Sequence, residues 1–185
     1  MRIRLSRTAT VPLTALASAV AIGFTTTPTA MALSKLTATT TGRVCMFDAP
    51  NGAFWLGHVA WAYRWSDGSG TWDYGATSES RNWRKHGSEQ QMLQDFTTST
   101  EGGGYRSYRC KDTAAGDQNA ASAAVTAGTA RSYNLTEDNC LTRSVEIFKA
   151  YDGSGGLNGL PDGKWVFPNA YFNYDLAGWG DEQKL

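Results

Sequence analysis

Beyond residue 42 the chain alternates apolar and polar positions in short runs broken by glycine-rich turns. Arg43–Ala49 looks like a first strand and is ended by Pro50, Asn51 and Gly52. Phe54–Trp65 reads as a second, longer strand, with Val59, Trp61 and Tyr63 on one face. Ser66–Gly70 is a turn, and Thr71–Thr77 returns as the other arm of a hairpin. A turn centred on Gly68 sets Trp65 opposite Thr71 and His58 opposite Ser78. The polar stretch 78–88 reads as a loop.

Helical spacing follows. Ser88 can cap a helix running to Phe96, with Met92, Leu93 and Phe96 on one side. Glu101–Gly104 is a glycine-rich turn before a strand ending at Cys110. Asp117–Ala127 is an alanine-rich helix that Gly128 can end. Arg131–Leu135 is a short strand or extended link. Cys140–Tyr151 is a helix presenting Leu141, Val145, Phe148 and Tyr151 to a core. A glycine-rich loop, a last strand at Lys164–Phe167 and a terminal segment complete the chain. No internal repeat or linker divides it. The pattern predicts one α+β domain, 42–185, an antiparallel sheet packed against helices.

The first 32 residues carry a different pattern. Arg2, Arg4 and Arg7 precede an apolar run from Val11 to Phe24, and Ala30, Met31 and Ala32 form a small-x-small cleavage site. This is the layout of a secretory signal, with an apolar run of about 14 residues against the roughly 20 of a membrane span. Residues 33–41 would be a flexible leader. The expectation is an exported protein with no membrane span after signal removal.

Charge and composition narrow the function classes. Seventeen basic residues balance seventeen acidic ones, so no basic field exists to hold nucleic acid. Two histidines, three cysteines and no paired Cys-x-x-Cys motif argue against a metal site. No phosphate-binding glycine loop leads into a helix, and no cofactor is expected. In an oxidising compartment three cysteines leave one over. Cys45 and Cys110 lie in strands and are expected to pair. Cys140 opens a helix and stays free.

That position gives Cys140 its chemical interest. A thiolate at a helix N-terminus faces the positive end of the dipole and the first backbone N–H groups, which lower a thiol pKa. The same N–H groups can receive an oxyanion. The simpler alternative is a buried structural thiol. His58, following Gly57 on its strand, is the imidazole best placed to work with it, whereas His86 sits in a charged, exposed stretch.

His58 on a strand, the hairpin return, the alanine-rich helix, and Tyr133, Leu135, Asn139 and Cys140 leading into the next helix together resemble the circularly permuted papain-like superfamily. That group includes lecithin retinol acyltransferase and permuted NlpC-type hydrolases. The resemblance spans residues 57–151. It implies Cys140 as nucleophile at a helix N-terminus and His58 as general base and acid. It also implies a secreted hydrolase or acyl transferase acting on amide bonds of peptide, cell-wall or acyl substrates through a thioester. Such sites orient the imidazole with a polar group on the return strand. Here Ala76 stands where that group is often found. Asp73 points to the other face unless a bulge shifts the register, and Ser78 and Glu79 are the other candidates. A non-catalytic binding module on the same fold, using aromatic loops around Trp83, Trp165 and Trp179, is the competing expectation.

Overall fold

The computed structural model describes residues 41–176 and 178–185. The signal, its cleavage site and most of the leader lie outside the described residues. The strands are β1 (Gly42–Ala49), β2 (His58–Arg64), β3 (Trp72–Thr77), β4 (Asn82–Gly87), β5 (Ser107–Thr113) and β6 (Gln183–Lys184). They form one antiparallel sheet in the order β4-β3-β2-β1-β5-β6. Three longer helices pack on it: α1 (Glu89–Thr98), α2 (Gln118–Ala130) and α3 (Cys140–Tyr151). The architecture is α+β, as the residue pattern predicts.

Period-two alternation divides the sheet into two apolar faces. Val44, Met46, Val59, Trp61 and Tyr63 pack with α2, α3 and the C-terminal segment, where Leu141, Val145, Phe148 and Tyr151 are buried as expected. Cys45, Phe47, Ala60, Ala62, Trp72, Tyr74 and Ala76 pack with Met92 and Phe96 of α1. Phe47 stacks on Phe96 with ring centroids 3.8 Å apart. Cys45 and Cys110 face each other across β1 and β5 and are disulfide-bonded, closing a separation of 65 residues.

The hairpin keeps its expected register. Tyr63 pairs with Asp73 and Arg64 with Trp72, while the Trp65 N–H reaches Thr71 O at 2.7 Å. Ser88 caps α1 by accepting the Gln91 N–H. Helix α2 starts at an Asp117 cap but runs through Gly128 to Ala130. A Cβ at Gly128 would lie in ordinary contact, 3.5 Å from the Arg143 side chain, so this glycine neither ends the helix nor is demanded by its packing on α3.

Three expectations are corrected, and one strand is added that none covered. The second strand starts at His58, because Ala53, Phe54 and Trp55 take left-handed φ values of 44°, 57° and 75° and turn the chain out into solvent. Asn169 pins that turn by donating to Pro50 O and Trp55 O. Residues 82–87 form an edge strand, not a loop. Their polar alternation is invisible because most of them face water. Lys164–Phe167 is a turn, with Trp165 at φ 59° and its N–H given to Thr136 O. Finally, Gln183 and Lys184 add a sixth strand along β5 that no apolar run announces.

Candidate functional site

Helix α3 begins where β2 begins, and the two first residues meet. Asn139 caps the helix, accepting the N–H groups of Leu141 at 2.9 Å and Thr142 at 3.1 Å. The Thr142 hydroxyl accepts the Asn139 N–H in return. This box fixes Cys140 as the first helical residue, against the strand, where the His58 imidazole and the Val59 N–H lie near enough to its sulfur to act on its titration. Cys140 is 3% exposed and His58 6% exposed.

Glycines make room for this histidine. Cβ atoms at Gly52 and Gly102 would stand 2.5 and 2.8 Å from the His58 Cβ. At Gly57, with φ +94°, a Cβ would strike Asn169 Oδ1 at 2.1 Å. The backbone before and across from His58 is therefore packed to a tolerance that only glycine meets.

The two groups shift each other's titration. Burial pushes the Cys140 thiol up, but the charge and hydrogen bond of His58, the Val59 N–H and the Tyr133 hydroxyl outweigh it, and the thiol pKa is lowered. Burial pulls His58 down, yet the facing Cys140 thiolate, its hydrogen bond, Glu101 and Asp48 leave the imidazole raised. Both directions favour a thiolate–imidazolium pair.

The third group comes from elsewhere than expected. Asp73 accepts from Tyr63 Oη at 2.9 Å and pairs with Arg84, on the α2–α3 face and five positions along β2 from His58. The unbulged register holds it there. Ser78 exchanges hydrogen bonds with the Arg81 backbone in the β3–β4 turn, and Glu79 is exposed in the same turn. The ladder between β2 and β3 closes with Trp61 and Gly75, and His58 pairs instead with Ala49 of β1. The carboxylate that faces the imidazole belongs to Glu101, with Oε1 3.7 Å from Nε2. Its other oxygen accepts the Trp83 indole N–H. Tyr105 lies beside the ring, centroids 6.0 Å apart.

Asp48 completes the cluster. It is 5% exposed, and burial, then Glu182, raise its pKa to about 6 against the opposing pull of Lys184 and His58. Neither Glu101 nor Asp48 stands out in the sequence. Glu101 sits in a glycine-rich turn 43 positions from His58, and Asp48 reads as one polar residue of a strand. The signal for Glu101 was the glycine run itself, since Gly102 is what lets the turn approach His58.

Of the aromatic residues named for binding, Trp179 is buried against Phe148 and Trp83 is engaged with Glu101, leaving Trp165 exposed. The exposed rings gather elsewhere. Trp55, Leu56, Phe167 and Tyr174 surround a cleft of about 270 Å³ with Asn169 and Asn173. That cleft adjoins the left-handed turn leading into Gly57 and His58.

Among the described residues no group of three or more His, Cys, Asp or Glu side chains could hold a metal ion, and no helix is long and apolar enough to cross a membrane. Comparison with protein-family models, curated proteins and solved structures found no match to this chain.

Proposed function

We propose that this protein is an exported thiol hydrolase or acyl transferase of permuted papain-like architecture, acting on amide bonds of peptide, cell-wall or acyl substrates. The observation that carries the reading is the Cys140–His58 contact at the paired starts of α3 and β2, with both titrations displaced toward the ion pair. In this reading the Cys140 thiolate attacks the carbonyl carbon and forms a C–S bond. The His58 imidazolium gives its proton to the departing amine, and water or an acceptor amine then resolves the thioester. Glu101 holds the imidazole's charge and orientation, in the place an Asp or Asn takes in other thiol sites. The Cys45–Cys110 bridge suits an oxidising compartment and agrees with the signal-like amino terminus.

The 3% exposure of Cys140 favours a second reading, an inert core thiol in a binding module that uses the aromatic cleft. Alkylation separates the two. Iodoacetamide should label Cys140 of the folded protein at about pH 6, and His58→Ala should move that labelling to higher pH. A thiol that resists labelling until the protein unfolds, or labels identically without His58, refutes the hydrolase reading. Cys140→Ala should abolish hydrolysis of a p-nitrophenyl acetate probe and leave the fold intact.

A further inference from the structure

Trp61, Gly75 and Arg84 form one cross-strand row on the sheet face that α2 covers. The middle position carries no side chain, and its neighbours require that. A Cβ at Gly75 would stand 2.2 Å from Trp83 O and 3.0 Å from Trp61 Cζ2. Thr77 and Asn82 are the cross-strand pair two positions on, on the same face. Between these strands and Val125, Thr126 and Thr129 of α2 lies a cleft of about 250 Å³.

Two polar groups lining this cleft lack what buried polar groups ordinarily have. Trp61 is 0% exposed and Thr77 2%, and neither the indole Nε1 nor the hydroxyl Oγ1 has a hydrogen-bond partner among the described residues. Phe and Val would fill nearly the same space without that desolvation cost. Arg84 stands beside them and is the one charged residue lining the cleft. Its bonds to Asp73, Tyr63 and Ser122 run through Nε and Nη2 and leave Nη1 for a further acceptor. The α2 wall adds no donor. Thr126 gives its hydroxyl to Ser122 O and Thr129 gives its own to Val125 O. The sheet side of the cleft therefore presents donors, and the helix side an apolar surface.

We propose that this cleft binds a small carboxylate with a short apolar body, the terminal carboxyl group of a peptide or a free short-chain acid. An indole N–H only donates, so the ligand must bring an acceptor. The one charged lining residue is a cation, which selects an anion, and a planar guanidinium suits an anion with two oxygens. One carboxylate oxygen takes the Trp61 N–H and the Thr77 hydroxyl, and the other takes Arg84 Nη1. Asp73 keeps Nε and Nη2, so the guanidinium serves both carboxylates from different edges. The ligand's carbon chain lies on Val125 and the two threonines. Asn82, exposed on the edge strand beside Thr77, is the side chain that turns aside to admit it. The proposal is independent of the chemistry at Cys140, and its test reads binding alone.

The indole N–H resonances of isotope-labelled protein report on the cleft directly, with that of Trp61 assigned by its loss in Trp61→Phe. N-acetylalanine, N-acetylalaninamide and butyrate are titrated in turn. The two acids should move the Trp61 resonance downfield to saturation, and the amide should bind about tenfold more weakly than N-acetylalanine or worse. Tighter binding of N-acetylalanine than of butyrate identifies a peptide terminus and the reverse order a free acid, and both uphold the carboxylate. Thr77→Val removes one donor and should weaken binding roughly tenfold, the usual effect of losing a hydrogen bond to a charged acceptor, while the urea midpoint stays level or rises. Thr77→Ser keeps the hydroxyl and should bind as wild type does. A Trp61 resonance that neither acid moves overturns the proposal, as do equal affinities for acid and amide or wild-type affinity in Thr77→Val. A lowered urea midpoint in Thr77→Val would show the hydroxyl already serving the fold, and overturns it as well.

Discussion

Replacing Asp48 by Asn should stabilise the protein near neutral pH and leave it unchanged in acid. Asp48 is 5% exposed on β1, and its pKa is raised from the usual 3.8 to about 6, first by burial and then by Glu182. Between those values the folded state holds a proton that the unfolded chain has released. Stability from this group is therefore full below the unfolded pKa and falls as pH rises through the folded one. A displacement of roughly two pH units at about 1.4 kcal/mol each corresponds to ~3 kcal/mol. Asn is nearly isosteric and never ionises. Urea unfolding followed by tryptophan fluorescence, on both proteins at about pH 3.5 and about pH 7.5, reads the difference directly. The variant should be more stable by about 2–3 kcal/mol at the higher pH and equal at the lower. An unfolding difference that is the same at both pH values would refute the reasoning. The stability gained should cost the site something, because Asp48 is one of the charges holding the His58 imidazolium, and thiol labelling should move to higher pH in the same variant.

Glu101→Gln keeps an oxygen for the Trp83 indole and removes the charge facing His58 at 3.7 Å, so iodoacetamide labelling of Cys140 should shift to higher pH with little change in thermal midpoint. A large drop in thermal midpoint with an unmoved labelling profile would make Glu101 purely structural. Reducing the Cys45–Cys110 bridge, which closes a 65-residue separation, should cost roughly 4 kcal/mol of unfolding free energy through the freed chain entropy, read as a fall in the urea midpoint with unchanged fold by circular dichroism. An unchanged midpoint would place the bridge's effect elsewhere than in the unfolded chain.

What the sequence revealed and what it hid follow one physical line. Strands β1, β2 and β3 are buried on both faces and announce themselves as short apolar and aromatic runs bounded by turns, while α1 and α3 show theirs by helical period, as Leu141, Val145 and Phe148 do. Ser88 and Asn139 announce where helices start because a cap needs an oxygen-bearing side chain at that place. Strand β4 was hidden because Arg84, Lys85 and His86 face water and carry no apolar period. The left-handed turn at Ala53–Trp55 was hidden because its cause, Asn169, is more than a hundred residues away. The site divided in the same way. Cys140 and His58 were visible through residue type beside a local element boundary. Glu101 was not, since the glycine run beside it reads only as a turn and the tertiary approach of that turn is what makes it face an imidazole.

The two sheet faces have a consequence for the fate of the three sulfurs. A thiolate is the species that attacks disulfides, and it needs in-line access to one sulfur of the bridge. Cys45 is buried on the α1 face, while Cys140 is buried on the face shared by α2 and α3. The sheet itself stands between Cys140 and the only bridge among the described residues. While folded, the molecule keeps the free Cys140 thiol and the Cys45–Cys110 disulfide apart. Unfolding removes that partition and lets the Cys140 thiol reach the bridge, even though the folded contacts that lower its pKa are lost at the same time. Heat should therefore scramble wild type into mispaired forms that fail to refold on cooling, whereas Cys140→Ala has no attacking thiol and should refold with Cys45 and Cys110 still joined.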